Sequence, residues 1–376
     1  MKKLLLFVES LKIGGAERAL VSLLECIDKS KFDITVLSIS DIGYFTTIVK
    51  SITGIKYKYI VSSRNTFFDK LKIKLIYRWL PASMMYRIFV PKGFDTEVAF
   101  CEGLSTKIIG ASANRKSKHI AWVHTDLKEN NWPIDNGTFK KLEEEICCYK
   151  RYDTIIGVSD TVCVGLRDLL ENKDIIRIYN LLDVDEIKSK SKVDSEFKPK
   201  RGEINIVSVG RLEYVKGFDR LINVVSTLVK SGYKGFNLTI VGDGSEYHKL
   251  REIVNNNELQ NYVTFTGMQH NPFPIVKSRD LFVCPSRHEG YNLAIAEAMI
   301  LGLPIISTRC TGPNELLDNG RYGILCENNE SAIYNSLKSI LDNRSLLDKY
   351  SELSRERCRI FQKEKIINQI NYVFEH

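Results

Sequence analysis

The chain has 376 residues, enough for two domains of ordinary size and well above the length at which core burial becomes marginal. Hydrophobic residues make up 44% and charged residues 27%, with only 9 Pro and 23 Gly, which excludes a disordered or fibrous chain. The 54 Lys and Arg against 46 Asp and Glu leave a formal charge of +8, a modest attraction for phosphates, nucleic acid or anionic membranes that selects none of them. Nine Cys, an odd number with no C-x-x-C pair, argue against a disulfide framework and a zinc knuckle and fit a reducing cytoplasm.

In chain order, Lys2 to Val8 is an apolar run that Glu9 cuts short; no small-residue cleavage site follows, so it reads as a buried first strand rather than a signal peptide. Strand-length apolar runs recur at 33–39, 55–60, 95–100, 118–123, 153–158 and 175–179, separated by helix-length amphipathic segments. Residues 186–202 alternate Lys, Ser, Asp and Glu and predict an exposed linker. The rhythm restarts at 204–209, 237–241, 262–266, 280–284, 303–307 and 322–325, and only helical patterning follows Glu330. This alternation predicts an α/β protein of parallel sheets covered by helices on both faces. The expected organisation is a Rossmann-like domain over 1–187, a second over 203–355, and a closing helix over 356–376 free to pack back on the first. No stretch of about 18 uncharged apolar residues occurs, so no spanning helix is predicted.

Ligands of open α/β sheets sit at the carboxyl ends of the strands, and four loops there carry chemistry. After the first strand, Gly14 and Gly15 open a helix whose N-terminus suits an anion, although a tight turn explains two glycines equally well. The motif is not the G-x-G-x-x-G of a dinucleotide site. After 204–209, Arg211 and Lys216 stand five apart around a turn, where a guanidinium fork and a mobile ammonium can converge on one pyrophosphate. After 280–284, Glu289 lies in a loop and Glu297 two turns into a helix beginning near Asn292; a carboxylate can accept two hydrogen bonds from a vicinal diol. The bland alternative makes Glu297 a surface residue and Glu289 a helix cap. After 118–123 comes His124, which is either a rim side chain or a group at a reacting centre.

Taken together, Gly14-Gly15-Ala16-Glu17-Arg18, Val209-Gly210-Arg211 with Lys216-Gly217, Ile240-Val241-Gly242-Asp243-Gly244, and Glu289-Gly290 through Glu297-Ala298-Met299 with Gly302-Leu303-Pro304-Ile305 resemble the retaining nucleotide-sugar glycosyltransferases of the GT-B fold, family 4. The resemblance covers nearly the whole chain. It implies a nucleotide-diphosphate sugar as co-substrate, no metal or other cofactor, a donor held mainly by the second domain and an acceptor held by the first. It further implies that Arg211 and Lys216 hold the diphosphate with the Gly14-Gly15 backbone approaching it, that Glu297 binds the ribose, and that Glu289 and the N–H groups of Tyr291, Asn292 and Leu293 contact the transferred sugar. His124 then lies near the reacting carbon. Tyr291-Asn292 stands where the family often has Phe-Gly. The chemistry is consistent: a departing nucleoside diphosphate develops negative charge that placed cations and amides stabilise. No covalent nucleophile is assigned. A rival metal site, Asp183-Val184-Asp185, matches the D-x-D triplet of the other major glycosyltransferase fold, but it falls after the last strand of the first half rather than an early one.

Between Arg64 and Lys92 seven basic residues and one acidic one are interleaved with aromatic and aliphatic side chains. At helical spacing Phe68, Leu71, Leu75 and Trp79 share one face, and Lys70, Lys74 and Arg78 form a neighbouring stripe. Such a helix lies on an anionic membrane, binds an acceptor phosphate, or packs on the core with a solvated basic face. The leading expectation is a cytoplasmic enzyme, peripheral on the inner face of the cell membrane, that moves a hexose or N-acetylhexosamine, from a UDP-sugar by preference, to a polysaccharide or polyprenyl-linked oligosaccharide of bacterial surface glycan such as capsule or O-antigen. The rivals are a GT-B nucleotide-sugar epimerase or hydrolase without an acceptor, and a non-enzymatic membrane-binding module. Nucleic acid is not an expected partner, since clustered aromatic and basic residues of a base-stacking platform are missing.

Overall fold

Leu4 to Val8 have no solvent exposure because β1 (Lys2–Val8) has a strand on each side and helices above and below. A strand enclosed in this way can be apolar at every position, which is why its sequence shows no alternation. Its neighbours are β2 (Phe32–Ser40) and β4 (Thr96–Ala99), with Leu4 opposite Ile34 on one side and Thr96 on the other. With β3 (Ile55–Val61), β5 (Lys118–Val123), β6 (Thr154–Gly157) and β7 (Ile175–Arg177) they form a parallel sheet of order β3-β2-β1-β4-β5-β6-β7. The second sheet is built from β8 (Ile204–Val209), β9 (Phe236–Val241), β10 (Val263–Phe265), β11 (Leu281–Cys284), β12 (Ile305–Thr308) and β13 (Ile324–Cys326), in the order β10-β9-β8-β11-β12-β13. This computed structural model describes residues 1–62, 67–78, 80–171 and 174–376. The thirteen strands of the described residues all overlap the apolar runs predicted from sequence.

Each sheet belongs to its own unit: Met1–Leu181 with Lys363–His376, and Leu182–Gln362. The closing helix, Lys363–Glu375, buries Ile366, Ile370, Val373 and Phe374, an i, i+4, i+7, i+8 stripe, within the first unit. Phe374 meets Phe32 edge-on at 6.0 Å. The carbonyls of the helix's last turn have lost their intrahelical partners, and three are satisfied from the sheet: Thr96 Oγ1 donates to Phe374 O at 3.1 Å, Lys118 Nζ to Val373 O at 2.9 Å, and Lys2 Nζ to Glu375 O.

One expectation is corrected. The segment read as a linker over 186–202 begins as helix, Val184–Lys190, and the division between the units falls earlier, after Leu181. Asp183 caps this helix, accepting from the Glu186 N–H at 3.0 Å, and Ile187 is its buried apolar contact. The D-x-D triplet is thus a helix start, with Asp185 exposed in its first turn.

Candidate active site

The winding of the second sheet reverses between β8 and β11, so the loops that follow these two strands leave in opposite directions and open a crevice at their carboxyl ends. The first loop carries Arg211 and then a single 3-10 turn, Tyr214–Lys216, ending in Gly217. Gly217 has φ 68, and a Cβ at this position would overlap the Pro285 carbonyl oxygen of the second loop; only glycine satisfies both demands. Beside it, the Arg287 N–H donates to Val215 O at 2.8 Å. The two loops are therefore zipped together through their main chains.

This zipper sets Lys216 against Glu289. The ammonium lies 2.7 Å from Glu289 Oε1, and the Ser286 hydroxyl donates to the same oxygen at 2.6 Å. Glu289 is almost fully enclosed, its side chain 6% exposed against 23% for Lys216. A carboxylate this enclosed requires such partners to remain charged. Arg211 instead reaches toward solvent, 46% exposed, with Nη1 3.1 Å from Glu213 Oε1.

The rest of the second loop is held from behind. Pro285 O accepts from the buried Arg220, Ser286 O from Thr308 Oγ1, Arg287 O from Asn328 Nδ2 at 2.9 Å, and Glu289 O from the Gly312 N–H at 3.0 Å. Asn292 ends the loop at φ 69 and ψ 83 and caps the helix Leu293–Ile300, its Oδ1 accepting from the Ile295 N–H at 3.0 Å. Asn tolerates the left-handed conformation better than most residues with a Cβ, so it can hold this position and cap the helix as well. Tyr291 and Leu293 turn their side chains into the core. Glu297, 7% exposed, is buried in the helix body and is not the surface residue of the bland reading.

Gly14, Gly15 and His124 stand on the first unit, and Arg211, Lys216, Glu289, Tyr291, Asn292, Leu293 and Glu297 on the second. Gly14 is the N-cap of the helix Gly15–Cys26, and the Glu17 carboxylate lies over it where a Cβ would be, an anion of the chain's own at the positive end of the helix. His124 follows β5 with both ring nitrogens buried and its ring stacked on Trp122, 6.3 Å away and 14° from parallel. Burial lowers its pKa to about 4, so the imidazole is neutral at pH 7.

Sequence reasoning missed two carboxylates here. Glu102 accepts from the main-chain N–H groups of both His124 and Thr125, and burial raises its pKa to about 7 despite those bonds. Glu9 accepts from the Leu104 N–H, and burial pushes its pKa up as well. The available signal was position: they follow β1 and β4, the two strands at which the first sheet reverses. In the second unit the missed residues are Ser286, Arg287, Asp219 and Arg220. Arg220 could have been suspected as a cation within the apolar face of Phe218–Lys230, where it is 7% exposed.

The basic segment forms two helices, Phe67–Arg78 and Ala82–Phe89. In the first, Asp69 and Ile76 face inward, Asp69 accepting from the Ser62 N–H at 3.1 Å. Phe68 and Leu71, expected on an apolar face, are 73% and 45% exposed, and Lys70 is exposed beside them. Trp79 and the side chains of Lys74, Leu75 and Arg78 lie outside the described residues. Among those described, no helix is long and apolar enough to cross a membrane and no three His, Cys, Asp or Glu gather as a metal site.

Two parallel-sheet units of seven and six strands, each covered by helices, are the GT-B architecture. Residues 189–357 match the model of the glycosyl transferases group 1. It is 26% identical to an uncharacterized glycosyltransferase of Haemophilus influenzae, covering 98% of this chain and 99% of the relative. It is likewise 26% identical to the N-acetylgalactosamine-N,N'-diacetylbacillosaminyl-diphospho-undecaprenol 4-alpha-N-acetylgalactosaminyltransferase of Campylobacter jejuni, covering 97% of each. The fold matches the crystal structure of Anabaena Alr3699/HepE in complex with UDP and glucose, with a TM-score of 0.76 over 100% of both chains at 18% identity.

Proposed function

We propose that this enzyme transfers a hexose or N-acetylhexosamine, with retention of configuration, from a UDP-sugar to a polysaccharide or polyprenyl-linked oligosaccharide of a bacterial surface glycan. The observation that carries the reading is the Lys216–Glu289 pair at the switch point of the second sheet. A nucleoside diphosphate leaves as a polyanion; Lys216, joined by Arg211, supplies fixed positive charge to that leaving group. Glu289, already charged and enclosed, is an acceptor for a sugar hydroxyl, and the buried Glu297 one for the ribose. Gly14, Gly15 and His124 belong to the reaction through the first unit, with His124 acting as a neutral imidazole. The UDP and glucose of the Anabaena complex and the undecaprenol-linked acceptor named for the Campylobacter enzyme support this choice of donor and acceptor.

The membrane part of the reading rests on the two helices of the basic segment. Phe68, Leu71, Met84 and Ile88 are exposed, the last two at 49% and 58%, and Lys70, Lys72 and Arg87 are exposed among them. Apolar side chains ringed by cations suit an anionic bilayer surface, from which a lipid-linked acceptor would be drawn.

The test is a thermal-shift panel of nucleotides and nucleotide sugars followed by product analysis. A UDP-sugar is expected to raise the melting temperature in the wild type and not in Lys216→Ala, since only a ligand of the folded state stabilises it. An acceptor-linked sugar with the donor's anomeric configuration is the expected product; free sugar or an epimerised donor alone would replace the reading with that of a hydrolase or epimerase. Phe68→Ser with Ile88→Ser should abolish co-sedimentation with anionic vesicles, and unchanged sedimentation would remove the membrane from the proposal.

A further inference from the structure

Arg287 makes more contacts than any role read from the sequence requires. Its guanidinium forks onto Asp219, Nη1 to Oδ1 at 2.8 Å and Nη2 to Oδ2 at 2.7 Å. Nη1 also donates to Tyr214 O at 2.6 Å, and the guanidinium lies 3.8 Å from the centre of the Tyr214 ring. Its own N–H holds Val215 O. One residue of the β11 loop thus grips both ends of the turn that bears Lys216: Tyr214 and Val215 before it, Asp219 in the helix after it.

The same loop residue is flanked by the groups that hold Glu289. Ser286, its neighbour, bonds the Glu289 carboxylate, and Glu289 itself lies two positions on. Lys216 and Glu289 close the ring from the other side. The fork is only partly exposed, 18% for Arg287 and 19% for Asp219, and Asp219 reflects the pairing. Burial alone would raise its pKa, and the Arg287 hydrogen bonds and charge outweigh this and hold it below the ordinary carboxylate value.

We propose that Arg287 is a positioning residue that sets the distance between the leaving-group cation Lys216 and the sugar-binding carboxylate Glu289, acting through the turn it clamps rather than by touching the donor. This rests on the donor-site reading above. A planar, bidentate fork fixes both distance and orientation, which a lysine ammonium cannot do. A displacement of the order of 1 Å at a reacting centre lowers turnover by up to about 100-fold.

The experiment is a double-mutant cycle on the full chain, measuring kcat and KM for donor and acceptor separately, with melting temperatures as a control. Arg287→Lys and Asp219→Asn are each expected to lower kcat/KM for the donor by about 10- to 100-fold while leaving the acceptor KM within about twofold. In a Lys216→Ala background, Arg287→Lys is expected to cost less than about threefold more, because the group it positions is gone. A purely structural role predicts the same fold-loss in both backgrounds, and that result overturns the proposal. So does an Arg287→Lys enzyme within about twofold of wild type for the donor. If Lys216→Ala itself leaves donor kcat/KM unchanged, the donor-site reading fails instead, and the two failures are told apart by that single variant.

Discussion

Lys216 and Glu289, separated by 73 positions, meet at 2.7 Å with the carboxylate nearly excluded from water. A pair of this kind is not simply a source of stability, because each partner exists to keep the other chargeable. Lys216→Ala leaves the Glu289 carboxylate with Ser286 alone and is expected to destabilise the second unit by about 1–3 kcal/mol. Adding Glu289→Gln should recover part of that loss. Urea midpoints of the two single variants and the double variant check it; strict additivity would show that the pair is not coupled.

Glu289→Gln keeps the shape of the side chain and an oxygen for Ser286, and removes the negative charge. Turnover is expected to fall by about 100-fold, since a neutral amide accepts a weaker hydrogen bond from a sugar hydroxyl in the transition state. Affinity for the free nucleoside diphosphate is expected to hold or rise, because Lys216 no longer has a competing anion. Titration calorimetry with UDP separates the two effects, and a parallel loss of binding and turnover would place Glu289 on the nucleotide instead.

Glu102 and His124 give the first unit opposing responses to pH. Burial raises Glu102 from 4.5 to about 7, so the folded state keeps a proton that the unfolded chain has released. Its contribution is complete below about pH 4.5 and is lost as pH rises toward 7. Burial lowers His124 from 6.5 to about 4, so its contribution is present above about pH 6.5 and is lost as pH falls toward 4. Glu102→Gln removes only the first of these. Relative to wild type, the variant should therefore gain stability between pH 5 and pH 8, by at most about 3 kcal/mol. Urea midpoints of both proteins at the two pH values measure it; a difference that does not change with pH would contradict the assigned shift.

Phe374 is fully buried although only Glu375 and His376 follow it in the sequence. Phe374→Ala should cost about 3–5 kcal/mol, and the cost should fall on the first unit, where its ring meets Phe32 and Trp122. All three Trp of the sequence precede residue 182, and the two described ones, Trp122 and Trp132, lie in that unit, so the tryptophan-fluorescence transition should shift to lower urea. Ligand-induced stabilisation of the second unit by UDP should persist. An unshifted fluorescence transition would mean that the closing helix contributes nothing to the first unit's stability.

The apolar runs, the Gly-rich turns and the charged loop positions were legible along the chain because each is local. A strand enclosed on both faces is apolar throughout, and a loop after it carries whatever polar residues the ligand requires. Helix capping is local too, yet Asp183 shows the limit of reading it: a polar, charged run looked like a linker because one buried side chain, Ile187, was enough to hold the short helix. The direction of the Phe67–Arg78 helix was likewise open, since its periodicity gives a stripe but not the surface that the stripe meets; Asp69 and Ile76 went inward and Phe68 outward.

Local residue order determined the two-sheet α/β architecture, the identity of Arg211, Lys216 and Glu289 as polar groups of the loops that follow strands, and the place of Glu297 in the helix beyond the last of them. Which of these groups touch was settled only by folding: the distance from Lys216 to Glu289, the grip of Arg287 on Asp219 and the burial of Glu102 depend on loops far apart in sequence. Gly217 shows why: the space it must leave empty is filled by Pro285, a residue that no pattern around position 217 can foresee.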